Sequence, residues 1–195
     1  MSTSIKTLKV STRLALGFGA VVALGVGIVA YAANTMSGLS AGVDELANNR
    51  MVKVAQFATV KDNLQTIARS VRNIIIIDND PVAYAAEQDR IKSLRAENTA
   101  LFEKLDKTIV LPRARELLKE MKETRATYNA AMDRAIQHAL KNENTEAAAT
   151  LFKEVLPLQT ALFKAVDEST KLQQDIAERL GHDATAAASS GVAVM

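Results

Sequence analysis

The sequence predicts an all-α fold: an antiparallel up-down-up-down four-helix bundle on an N-terminal transmembrane helix. Three observations carry that reading. All eight glycines lie within the first 42 residues or after position 180, and the three prolines are Pro81, Pro112 and Pro157. The glycine-free stretch between is rich in Ala, Leu, Glu, Lys and Arg, a composition of long helices rather than strands. Residues 14–33 carry no charge, and beyond them apolar residues recur at steps of three and four, the period of one helix face.

Composition removes several classes of function. Lys6, Lys9 and Arg13 account for the excess of 24 Lys and Arg over 22 Asp and Glu, so the remainder of the chain is close to neutral. A nucleic-acid partner is therefore not expected, because displacing phosphate counterions needs excess cations in the folded part. The absence of cysteine rules out disulfides, a thiolate nucleophile, iron–sulfur clusters and c-type haem attachment.

Residues 1–13 form a basic N-terminus and residues 14–33 the membrane helix, since about 20 apolar residues at 1.5 Å each span roughly 30 Å of hydrocarbon. Lys6, Lys9 and Arg13 precede this run and no charge follows until Asp44, which puts the N-terminus in the cytoplasm and residues 34–186 outside, periplasmic or extracellular. A cleaved signal peptide is the competing reading, with Ala30-Tyr31-Ala32 as its processing site; the apolar run is longer than such segments usually are.

Met36, Leu39, Val43, Leu46, Val54, Phe57, Val60, Leu64, Ile67, Val71 and Ile74 mark a first helix that continues to about Ile77, with a break in the pattern near Arg50. Asp78-Asn79-Asp80-Pro81 ends it: Asp80 suits an N-cap and Pro81 the first helical position, where a missing N–H loses nothing. A second helix runs from Pro81 to about Lys107 on Tyr84, Ile91, Leu94, Leu101 and Leu105, and stops around Leu111-Pro112. The third carries Leu117, Met121, Thr124, Tyr128, Ala131, Ala135 and His138, and Lys141-Asn142-Glu143-Asn144-Thr145 turns the chain again. The fourth follows on Leu151, Val155, Leu158, Leu162, Ala165, Ser169, Leu172 and Ile176. Four such stripes bury one another most simply as an antiparallel bundle. Pro157 either lies in the first turn of the fourth helix or interrupts it; the sequence leaves both open. Residues 187–195 read as the opening of a second membrane helix, within which the chain is expected to stop.

Catalytic chemistry is not expected, nor is a metal or cofactor: His138 and His182 are the only histidines, and no zinc, phosphate-loop or nucleophile motif occurs. Binding residues are the better candidates. Arg69 and Arg72 are neighbours on the first helix, off its apolar stripe and near the end far from the membrane. Arg125, Tyr128 and Asn129 offer a guanidinium, a hydroxyl and an amide around one turn of the third. Guanidinium forks match carboxylates, two donors to two oxygens. Against this, each arginine also reads as solvated or paired with a nearby Glu, and Tyr128 as core. A second line on the first helix, Ala55, Ala58, Thr66 and Arg69, is left uncovered by four-helix packing and is the expected dimer surface.

Residues 1–33 leading straight into a long helix, the segment Gln65-Thr66-Ile67-Ala68-Arg69-Ser70-Val71-Arg72, and the stretch from Glu146-Ala147-Ala148 to Leu156-Pro157-Leu158 resemble the front part of a bacterial methyl-accepting chemotaxis receptor. The resemblance covers essentially the whole chain. It implies a homodimeric transmembrane chemoreceptor whose periplasmic bundle binds a small organic acid or amino acid. Arg69 and Arg72 then match family arginines that meet a ligand carboxylate, although the set of three is incomplete here. Arg125 with Tyr128 is similar to members that sense organic acids. Contact with cytoplasmic signalling proteins would belong to a later part of such a receptor, outside these residues. The alternatives are the input domain of a sensor histidine kinase, which carries the same module, and a membrane-anchored helical scaffold that senses nothing.

If residues 14–33 are a retained anchor, N-terminal sequencing of the protein purified from membranes reads from the initiating region. A mature chain starting at Ala33 would show a cleaved leader instead.

Overall fold

The computed structural model describes residues 9–77 and 80–194. Lys6 of the basic N-terminus, Asp78 and Asn79 of the first turn, and Met195 lie outside the described residues. Every element within them is helical: α1 (Val10–Asp44), a π-helical turn (Glu45–Arg50), α2 (Met51–Ile76), α3 (Pro81–Thr108), α4 (Pro112–Leu140), α5 (Asn144–Thr150), a second π-helical turn (Leu151–Val155) and α6 (Leu156–Val194). The chain divides into two units, Met1–Ala47 with Glu178–Met195, and Asn48–Ala177.

In the first unit, α1 buries none of its residues. Leu14, Phe18, Val21, Leu24 and Val29 all stand exposed. Between Leu14 and Ala33 this helix is uncharged on every side. The helical run that contains it, Val10–Ile76, is long and apolar enough to cross a membrane.

The second unit is the bundle: α2, α3, α4, and a fourth helix built from α5, the π turn and the front of α6. Its core follows the expected stripes. α2 buries Phe57, Val60, Leu64, Ile67, Val71 and Ile74. α4 buries Leu117, Met121, Tyr128, Ala131 and Ala135, joined by Leu118 and Met132, which widen the stripe. α3 contributes Ile91, Phe102 and Leu105, with Tyr84, Leu94 and Leu101 partly covered. Val155, Leu162, Ala165 and Val166 close the core from the fourth helix. The small residues Ala131, Ala135 and Ala139 on α4 leave room for the larger side chains of facing helices.

The turns are held by identifiable groups. Asp80 accepts hydrogen bonds from the Val82 and Ala83 N–H groups, both at 3.0 Å, and Pro81 takes the first position of α3. The Tyr84 hydroxyl donates to the Ile77 carbonyl at 2.7 Å, satisfying an acceptor at the end of α2. Pro112 opens α4. Between α4 and α5, Asn142 has φ of 61°, a left-handed conformation that asparagine adopts more readily than most residues. The break foreseen near Arg50 is the π turn Glu45–Arg50, whose extra residue re-phases the helix face. For Pro157 the structure decides between the two readings: helix begins at Asn144, so the proline lies inside the fourth helix, two residues past the second π turn.

Ion pairs tie the helices along their flanks: Lys61 to Asp167 at 2.5 Å, Arg95 to Asp133 at 2.8 Å, and Arg134 to Glu154. One polar pair is inside. The Asn63 amide donates to the Asn98 side-chain oxygen at 3.0 Å between α2 and α3, and Asn98 is fully buried. Asn98→Ala should destabilise the bundle by about 1–3 kcal/mol, because the Asn63 donor is then stranded without water. Replacing both asparagines by leucine should restore most of that loss, as read by urea unfolding of the chain in mild detergent followed by circular dichroism. An Asn98→Ala variant as stable as the parent would mean that water reaches the pair.

Candidate functional site

On α2, Gln65, Arg69 and Arg72 follow one another at four and three residues and so share one face of the helix. With Gln159 from the fourth helix they line an open groove of about 300 Å³. Both arginines are exposed. Arg69 donates to the Thr66 hydroxyl at 3.2 Å. Among the described residues neither arginine is ion-paired with a carboxylate at salt-bridge distance. Elsewhere on the bundle the cations Lys61, Arg95, Arg113, Lys122 and Arg134 all have acidic partners. Arg72 also borders an adjoining cavity of about 80 Å³, whose other walls are Ala68, Leu151, Phe152, Val155, Leu156 and Gln159. The two spaces share Arg72 and Gln159 and connect the first helix to the start of the fourth.

The candidates on α4 are placed differently. Arg125 is folded against α3: it donates to the Arg95 carbonyl at 3.2 Å and the Thr99 hydroxyl at 2.6 Å, with its guanidinium 5.0 Å above the Phe102 ring. Burial, then the neighbouring Arg95 charge, lowers its pKa from the usual arginine value. Tyr128 is wholly buried, and its hydroxyl has no hydrogen-bond partner among the described residues. Burial pushes the phenol well above its ordinary pKa, opposed by the charges of Arg72 and Arg95. Asn129 is half-buried, and its carbonyl accepts from Arg95 at 3.4 Å. The structure thus brings Arg69 and Arg72 together at a groove. Arg125, Tyr128 and Asn129 sit in the bundle interior and its α3–α4 seam, with Tyr128 within electrostatic reach of Arg72.

Several polar residues were not singled out in the sequence. Arg95 links α3 to Asp133 and Asn129 on α4, and its Nε is buried without a partner among the described residues. Asn98 Nδ2 is in the same condition. Its position was legible, since it falls between Leu94 and Leu101 in the stepping of the second stripe. Gln65 was legible too, as the third member of the Arg69/Arg72 face. Gln159 and Phe152 were not, because their place at the groove depends on how the fourth helix is rotated against the first. Among the described residues no group of three His, Asp or Glu side chains is placed to hold a metal ion.

These features, a bundle of four amphipathic helices with a cationic groove between its first and last members and an apolar helix ahead of it, define a sensory helical module. A family model described as a four helix bundle sensory module for signal transduction matches residues 7–188. The chain belongs to this family, the four-helix-bundle sensory module of methyl-accepting chemotaxis proteins. No curated protein matches it.

Close to Arg69, Glu87 on α3 accepts from the Asn73 amide at 2.7 Å and lies 3.6 Å from Arg90. The Ser70 hydroxyl faces this carboxylate, although short of hydrogen-bond geometry. Ser70 first, then Asn73, Arg90 and Arg69, hold Glu87 below its ordinary value of 4.5, against a smaller opposing effect of burial. A folded pKa below the unfolded one contributes stability above pH 4.5 and loses it as pH falls through the folded value. Acid titration of the melting temperature should accordingly be flatter below pH 4.5 for Glu87→Gln than for the parent. Parallel curves would show that Glu87 gains nothing from these neighbours.

Proposed function

We propose that the chain is the sensing part of a transmembrane chemoreceptor: a periplasmic bundle, anchored by α1, that binds a small carboxylate and conveys occupancy across the membrane without catalysing a reaction. The observation that carries this reading is the pair Arg69 and Arg72, on one face with Gln65, lining one groove with Gln159 of the fourth helix and, among the described residues, not in salt-bridge contact with any carboxylate. A carboxylate bound there replaces its lost hydration with charge-assisted bonds, and it bridges the two helices whose relative position a sensor must change. Arg69 and Arg72 are the proposed contacts. Of the α4 candidates, Arg125 and Asn129 lie at the seam with α3, where Arg125 fixes α4 in place, and the buried Tyr128 hydroxyl lies within reach of the Arg72 charge.

The functional unit is proposed to be a homodimer. Of the expected line on α2, Ala55, Ala58 and Arg69 are exposed and Thr66 is half-buried, which supports a second copy packing along the first helix.

Calorimetry of the full chain in lipid nanodiscs, against a panel of carboxylic acids and amino acids, tests the reading. A panel member should bind, and Arg72→Ala should weaken it at least tenfold, about 1.4 kcal/mol. Arg125→Ala should cost stability and change affinity much less. A bound acid whose affinity stays within about twofold in both Arg69→Ala and Arg72→Ala would refute the site.

A further inference from the structure

The ordering of the fourth helix exposes a feature that carboxylate recognition alone does not use. Ala147, Leu151, Val155, Leu158 and Leu162 approach the core at steps of four, four, three and four. Two successive steps of four run ahead of a regular helix, and the chain absorbs the surplus in the π turn Leu151–Val155, where the Leu156 N–H reaches back to the Leu151 carbonyl. Pro157 lies two residues past that turn and has no N–H for the Lys153 carbonyl. This local rewinding keeps Leu151 and Val155 turned to the core and leaves Phe152 and Leu156 outside it, 67% and 47% exposed. Side by side at the mouth of a cavity, the two offer apolar surface that a bound molecule can cover.

Phe152 and Leu156 line the 80 Å³ cavity with Ala68, Leu151 and Val155, and Arg72 and Gln159 are its polar lining residues. Resting on the carboxylate reading above, we propose that the ligand is a small monocarboxylate with a compact apolar body, a branched aliphatic or single-ring acid, whose carboxylate meets Arg72 and whose body fills this cavity against Phe152. Among the described residues, Arg72 is the only charged one lining this cavity, whereas Arg69 faces the adjoining groove, so a carboxylate inside the cavity has one cation to meet. A second carboxylate pushed into the apolar lining would lose its hydration and find no cation there, so di- and tricarboxylates are the poorer fit. The body removes the exposed Phe152 and Leu156 surface from water, which a short acid such as acetate cannot do.

The probes are isovalerate and benzoate, compared with acetate and malate by calorimetry on the full chain in nanodiscs, with empty nanodiscs subtracted. Isovalerate or benzoate should bind at least tenfold tighter than both comparators. Phe152→Ala should weaken that acid by tenfold or more, Phe152→Leu should recover most of the loss, and malate should be indifferent to both; Phe152 is exposed, so these variants keep the fold. Arg72→Ala should weaken every acid that binds. Malate binding as tightly as the apolar acids, or Phe152→Ala leaving them within twofold while Arg72→Ala does not, overturns the apolar-body inference and leaves the carboxylate reading standing. Phe152→Ala that dissociates a dimer in sedimentation without altering acid affinity assigns the patch to a second copy and also overturns it. If none of the four acids nor any amino acid binds, the carboxylate reading falls, and this inference with it.

Discussion

Burial of the α2 stripe from Phe57 to Ile74 is the contact on which the rest of the bundle depends. It packs against α3, α4 and the fourth helix, so its register decides which residues of each face inward. Once that stripe is covered, Gln65, Arg69 and Arg72 have to face outward, since they lie on the opposite side of the same helix. The groove is thus a by-product of core packing rather than of any local motif. Its cations need no acid of their own, because in water an exposed arginine loses little by standing without one.

The interior is less uniform than the stripes imply. Asn63, Asn98, Ser70 and Tyr128 place polar atoms between helices that apolar residues would fill more favourably, and some of those atoms have no partner among the described residues. Each costs desolvation free energy that the surrounding leucines and alanines must offset. Near the other end of the bundle, Arg50 donates to Gln173 of the fourth helix at 3.2 Å, and the buried Lys53 donates to Asn49 one turn earlier on its own helix, so two cations are drawn into the packing. Polar layers limit the registers in which helices pair, because sliding by a turn would set amides and charges against apolar side chains. In a sensory module, that limits how the helices can rearrange.

Both π turns lie on these same two helices. Glu45–Arg50 precedes α2, and Leu151–Val155 precedes α6. Each re-phases a helix whose apolar pattern drifts from the regular period, and the second is reinforced by Pro157 and by the ion pair from Arg134 to Glu154. The wider turn is what frees Phe152 from the core and sets it in the lining of the cavity that Arg72 borders.

By itself the sequence determined the helices, their order and most of their ends. Four stripes, an Asp80 cap, prolines at first helical positions and an uncharged run of membrane length are local properties, and helix periodicity converts them directly into structure. It also identified Arg69 and Arg72 as neighbours, since spacing along one helix is enough for that. What only the tertiary structure decided is anything that depends on the rotation of one helix against another: that Gln159 and Phe152 line a cavity with Arg72, that Arg125 turns inward to Thr99 and the Phe102 ring, that Tyr128 is enclosed, and that Pro157 sits within a helix. Those rotations are set by the joint packing of many side chains from several helices, a sum over contacts between residues far apart in the chain, which no single stretch of sequence displays.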